Sequence, residues 1–182
     1  MTVIKHLDQR VGIFIDAQNL YHSAKNLYGK KVNFGAVVDA TLANRVLVRA
    51  IAYVITSDTG EERGFFEALE KNGIETKTKD LQIFHGGAKK ADWDVGLAID
   101  AVKMSHKLDT VIIVSGDGDF VPLVEYLKMT AGCQVEVAAF RKSSSSRLIE
   151  VADDFMDLDM DQRAFLIGNK LNRRRNNIPI RK

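Results

Sequence analysis

The chain has 182 residues, 46% hydrophobic and 27% charged, which suits one globular domain with a sizeable core. One cysteine rules out an intrachain disulfide, no apolar run is long enough to span a bilayer, and Met1-Thr2-Val3-Ile4-Lys5-His6 lacks the pattern of a secretory signal, so a cytoplasmic protein without membrane contact is expected. The formal charge of +2 is uneven: residues 168–182 carry six cationic side chains and no acid, leaving about −4 on the remainder.

Strand and helix signals alternate along the chain. Residues 11–16 form a short apolar run read as a buried strand, and Leu20, Ala24, Leu27 and Tyr28 follow at helical spacing. Gly29-Lys30-Lys31 breaks that helix, and a shorter one is expected over Phe34–Leu42. Residues 45–55 read as a long strand. Thr59-Gly60-Glu61-Glu62 has the form of a capping box, opening a helix with Phe65, Phe66 and Leu69 that closes at Asn72-Gly73. Residues 74–79 read as a half-exposed edge strand, whose open edge would admit a homodimer.

His85-Gly86-Gly87-Ala88-Lys89-Lys90 reads as a flexible basic loop. The next helix, starting near residues 91–94, is expected to turn Val95, Ala98, Ile99 and Val102 to the sheet and to leave Asp100 more exposed. Residues 111–114 read as a strand buried on both faces. A helix follows over about residues 120–129, with Pro122 in its first turn. Residues 133–139 read as the last strand, and Ser143-Ser144-Ser145-Ser146 leads into a final helix. Cys133 is expected to be a small buried residue. The order argues for an α/β fold, a doubly wound three-layer α/β/α domain over residues 1–167. Residues 168–182 are read as a flexible basic tail that suits a polyanion such as RNA, or as a solvated terminus.

Two of these strands end in acids. Glycines in Ser115-Gly116-Asp117-Gly118-Asp119 let the chain turn as it leaves the sheet, placing Asp117 and Asp119 at the carboxyl edge where open α/β sheets bind ligands. Carboxylates held close repel one another unless a proton or cation lies between them, and Mg²⁺ or Mn²⁺ prefers such oxygen ligands. The same residues also suit a solvated turn. Asp16 ends the first strand, where it could equally cap the following helix. If the two strands are neighbours, the three acids share a crevice. Asp92 or Asp94, at the start of the third long helix, could add a fourth, or simply complement the helix dipole.

Cations lie in the adjoining loops and helix starts: Lys89, Lys90, Arg141, Lys142 and Arg147. They could hold a phosphate backbone or be ordinary solvated charges. Tyr21, Tyr28 and Trp93 could stack on bases. Neither a Walker A sequence, a G-x-S-x-G elbow nor a complete dinucleotide fingerprint occurs. A phosphatase with an aspartate nucleophile stays open, although Gln18 stands where such enzymes want a second acid.

Four segments taken together, Phe14-Ile15-Asp16-Ala17-Gln18-Asn19-Leu20-Tyr21, Trp93-Asp94-Val95-Gly96-Leu97-Ala98-Ile99-Asp100, Ser115-Gly116-Asp117-Gly118-Asp119-Phe120-Val121-Pro122-Leu123, and Ser146-Arg147-Leu148 with Ala152-Asp153-Asp154-Phe155, resemble the LabA-like branch of the NYN domain family. That family belongs to the PIN-like nucleases. The resemblance covers about residues 11–160 and implies a parallel sheet of strand order 3-2-1-4-5. It implies a metal-dependent ribonuclease whose acidic cluster is Asp16, Asp94, Asp117 and Asp119, with Asn19 and Ser115 supporting it by hydrogen bonding. It also decides between Asp92 and Asp94. Trp93 stands where the family usually has a smaller aliphatic residue. The expected function is Mg²⁺- or Mn²⁺-dependent hydrolysis of single-stranded RNA, with Lys89, Lys90, Arg141 and Arg147 on the substrate. A non-catalytic RNA-binding or regulatory module is the alternative.

Overall fold

A computed structural model describes residues 3–56, 63–80, 82–83, 89–90 and 93–168. Six parallel strands form the central sheet: β1 (Arg10–Asp16), β2 (Val46–Thr56), β3 (Glu75–Asp80), β4 (Thr110–Val114), β5 (Gln134–Ala139) and β6 (Asp154–Asp157). Their order is β3-β2-β1-β4-β5-β6. The first five keep the expected 3-2-1-4-5 order, with β3 at one edge. The expectation that the strand over residues 133–139 is the last is corrected, because β6 pairs with β5 outside it. Asp153 helps to dock β6: its backbone N–H donates to Val135 O (2.8 Å) and its carboxylate accepts from Val135 N (2.8 Å).

Helices α1 (Ala17–Tyr28), α2 (Phe34–Leu42) and α3 (Arg63–Lys71) pack with Val11, Ile13 and Ile15 on one face of the sheet. Helices α4 (Asp94–Ser105), α5 (Val121–Met129) and α6 (Ser146–Val151) pack with Phe14, Ile113 and Val137 on the other. Alternate residues of each buried strand thus serve two cores, as side-chain period two requires. Gly73 takes a left-handed φ of 68° after α3, the turn expected there. Cys133 is buried. The capping-box residues 59–62, residues 85–88, Asp92 and residues 169–182 lie outside the described residues.

The face of α4 is a correction. Leu97, Ala101 and Ser105 are its buried residues, while Val95 and Ile99 are exposed at 72% and 47%. Ala98 and Val102 lie at the margin of the core. Asp100 is also not the exposed residue expected, since it accepts from Tyr53 Oη (2.8 Å) and Lys77 Nζ (2.6 Å). Apolar residues lie on both sides of α4, so periodicity alone could not choose its face. Lys89–Lys90, expected in a loop, form a short strand antiparallel to Gln82–Ile83.

Two features lie away from the carboxyl edge of the sheet. Arg45 and Glu136, both 4% exposed, form a bidentate pair at 2.6 and 3.0 Å. Arg45 also donates to the Thr41 and Leu42 carbonyls, while Lys5 and Gln134 reach Glu136. Separately, Lys31–Val32 pairs antiparallel with Leu166–Ile167. Asn33 N–H donates to Phe165 O at 2.8 Å beside that ladder.

Candidate functional site

The site is set by the register of β1 on β4. Ile15 lies opposite Val114, so each strand delivers its next residue, Asp16 and Ser115, to the same level. Asp16 performs both roles that its position allowed. Its Oδ1 accepts from Asn19 N (3.0 Å), capping α1, and its Oδ2 accepts from Ser115 Oγ (3.1 Å). Ser115 Oγ in turn accepts from Asp117 N (3.2 Å), and Asn19 Oδ1 accepts from Gly116 N (3.0 Å). Asn19 and Ser115 therefore tie the end of β1 to the turn after β4. A Cβ on Gly116 would come within 2.6 Å of Ser144 Oγ and 3.1 Å of Ser144 Cα, so this close approach needs glycine.

The turn then carries its two acids outward. Asp117 Oδ1 accepts from Asp119 N (3.0 Å), opening the 3₁₀ turn Gly118–Phe120. Asp94, at the start of α4, meets them: oxygens of Asp94, Asp117 and Asp119 lie within 4.8 Å of one another. Asp16 is not in this trio but lines the same cleft as Asp94 and Asp117. The cleft encloses about 410 Å³.

Burial pushes the Asp16 carboxyl above the ordinary aspartate range, and the neighbouring Asp117 charge adds to the rise against the donors that hold Asp16. The folded protein thus holds this proton more tightly than the unfolded chain. Asp16 makes stability fall as pH rises from the ordinary aspartate range through its folded value. Asp16→Asn retains a cap acceptor and removes the desolvated charge. It is expected to raise the thermal midpoint at pH 7 by about 2–4 °C, and by little at about pH 3, where Asp16 is protonated in both states. Melting curves at the two pH values check this, and an equal shift at both would refute it.

The cations are distributed differently from the acids. Arg141 Nε binds Asp157 Oδ2 (2.8 Å), with its guanidinium 4.7 Å from the Phe155 ring centroid. Arg147 pairs with Glu125 (3.3 Å) and Glu150 (3.7 Å). Neither arginine lines the cleft. Of the aromatic candidates only Trp93 does; Tyr28 is hydrogen-bonded to Asp159 and packs against Phe140, and Tyr21 lies beside Lys25.

Sequence reasoning missed Gln18, His22 and Asn26, which line the cleft along one side of α1. Their mutual spacing of four residues, starting two after Asp16, was the available signal. Tyr53, level with Asp16 in the register of β2 on β1, also lines it.

Residues 10–159 match the NYN domain. The chain is 30% identical over 166 residues to the low amplitude and bright protein LabA of Synechococcus elongatus, covering 86% of this chain and 87% of that one. A crystal structure of VPA0982, a protein of unknown function from Vibrio parahaemolyticus, superposes with a TM-score of 0.81 at 31% identity. That match covers 91% of this chain and all of the other. Among the described residues, no helix is long and apolar enough to cross a membrane.

Proposed function

The chain belongs to the NYN domain family, and on that footing we propose that it is a metal-dependent endoribonuclease hydrolysing phosphodiester bonds of single-stranded RNA. The observation that carries this reading is the meeting of Asp94, Asp117 and Asp119 at the carboxyl edge of the sheet. Three carboxylates offer oxygen donors alone, the set preferred by Mg²⁺ and Mn²⁺. Asp94, Asp117 and Asp119 would hold the ion, with Asp16 beside them as the fourth acid. A bound ion would activate water and offset charge on the phosphate.

The chain's own residues supply the frame. Ser115 and Asn19 fix Asp16 and the acidic turn before substrate arrives, so no reorganisation is required at the moment of reaction. In this reading Lys89, Lys90, Arg141 and Arg147 hold the RNA backbone. Arg141 and Arg147 side chains are 54% and 62% exposed, so each can exchange its acidic partner for a phosphate. The basic residues 168–182, outside the 1–167 domain, add further phosphate attraction. The reading sets the protein in the cytoplasm. Among the described residues no strand pairs with β3 on its outer side, which gives a second copy a strand to pair with.

Purified protein incubated with single-stranded RNA is expected to cleave it internally with Mn²⁺ or Mg²⁺ and to stop on addition of chelator. A generic phosphate monoester should remain intact. RNA binding that survives chelator without any cleavage would replace the nuclease with a non-catalytic module, and monoester turnover would favour a phosphatase.

A further inference from the structure

Asp94 is delivered to the site by a different element from the other acids. Asp16 ends the central strand β1, Asp117 lies in the turn after β4, and both are tied by side-chain and backbone hydrogen bonds. Asp94 opens a helix whose N-cap is Trp93, a residue whose side chain makes no capping hydrogen bond. The Trp93 side chain therefore does not supply the capping hydrogen bond that usually fixes a helix end.

The Trp93 indole reaches elsewhere. Its Nε1–H donates to Val54 O at 3.0 Å, near the carboxyl end of β2. Its six-membered ring covers Gly96, where a Cβ would lie 2.5 Å from Cε3 and 2.9 Å from Cζ3. The Tyr53 ring packs against it with centroids 5.5 Å apart. Tyr53 is itself locked from behind by its hydrogen bond to Asp100 of the same helix, which Lys77 of β3 also binds. The Trp93 carbonyl meanwhile accepts from Leu97 N (2.7 Å).

We infer that Trp93 is the positioning residue that sets Asp94 among the acids, by clamping the first turn of α4 to the end of β2. The inference rests on the trio's role as a cation site, proposed above. It assigns a purpose to two features of this chain together: a large aromatic beside the acid, and a glycine three residues later that makes room for it. The indole N–H fixes the distance of α4 from β2, and the ring on Gly96 fixes its rotation.

Trp93 is the only tryptophan in the chain, so its emission reports this contact without interference. Two variants separate the parts of the clamp. Trp93→Phe keeps an aromatic ring and loses the hydrogen bond. Gly96→Ala retains the indole but expels it from its seat, while improving the intrinsic stability of the helix interior. Lost function in Gly96→Ala therefore cannot be ascribed to a weaker helix.

Mn²⁺ binding without RNA, read from the electron paramagnetic resonance of free Mn²⁺, is the direct measurement. Trp93→Phe is expected to bind about fivefold more weakly, the worth of one hydrogen bond. Gly96→Ala should bind at least as weakly, with its emission moved to longer wavelength as the ring meets water. In the parent protein, Mn²⁺ should quench Trp93 emission. Asp117→Asn serves as the control that loses the ion. Parent-like affinity in both Trp93→Phe and Gly96→Ala, beside loss in Asp117→Asn, would overturn the clamp and leave the metal site standing. Absence of Mn²⁺ binding by the parent would overturn the metal site and the clamp with it.

Discussion

Asp117→Asn is expected to lower metal-dependent RNA cleavage by at least about a hundredfold while leaving the fold intact. The reasons are separable. Asparagine keeps the Oδ1 that accepts from Asp119 N, so the turn retains its hydrogen bond. What is lost is one of the three charges that meet within 4.8 Å. Without an ion those charges repel, so the variant should melt no lower than the parent in chelator. With Mn²⁺ the order should reverse, because only a protein that binds the ion gains stability from it by mass action. Cleavage of a labelled single-stranded RNA and melting curves with and without Mn²⁺ test both halves. Cleavage by the variant at the parent's rate would remove Asp117 from the catalytic centre.

Glu136→Ala is expected to cost about 3–5 kcal/mol of folding stability, the usual penalty for leaving one member of a buried ion pair. Arg45 has no route to solvent, since its side chain is fully buried. Its remaining partners, the carbonyls of Thr41 and Leu42 with Gln9 Oε1 and Thr110 Oγ1, satisfy hydrogen bonds but not charge. The double variant Arg45→Met/Glu136→Leu should recover most of that loss, as apolar replacements of buried ion pairs do. Urea denaturation measures both. A single variant within about 0.5 kcal/mol of the parent would mean that water reaches Arg45 more freely than the packing shows.

The two predictions sit at opposite ends of what the sequence disclosed. Asp16, Asp117 and Asp119 were legible because each ends or follows a short apolar run, a local signal that requires only strand adjacency to become a site. Asp94 needed the family resemblance, because an acid in a first helical turn has sufficient reason to be there from the dipole alone. The Arg45–Glu136 pair was invisible, being two charged residues 91 positions apart. The face of α4 misled for a physical reason: Val95 and Ile99 are more apolar than Ala101 and Ser105, yet tertiary contacts turned the latter inward. Strand β6 escaped notice because Asp154-Phe155-Met156-Asp157 has acids at both ends and is made a strand by pairing with β5. The polar residues of α1 that line the cleft resemble an ordinary solvated face until the cleft itself is seen.

The antiparallel ladder between Lys31–Val32 and Leu166–Ile167 bears on when this protein can fold. Asn33 and Ala164, hydrogen-bonded beside that ladder, are 131 residues apart in sequence. The central strand β1 likewise waits for β4, with Ile15 opposite Val114. Closing loops of that length costs chain entropy before the contacts repay it. During synthesis, the first helices would therefore emerge with their apolar faces uncovered and lack their last fastening until residue 167 has left the ribosome. Refolding in the test tube should accordingly be slow for a domain of this size, and the short 166–167 segment should be among the last pieces to gain protection from hydrogen exchange.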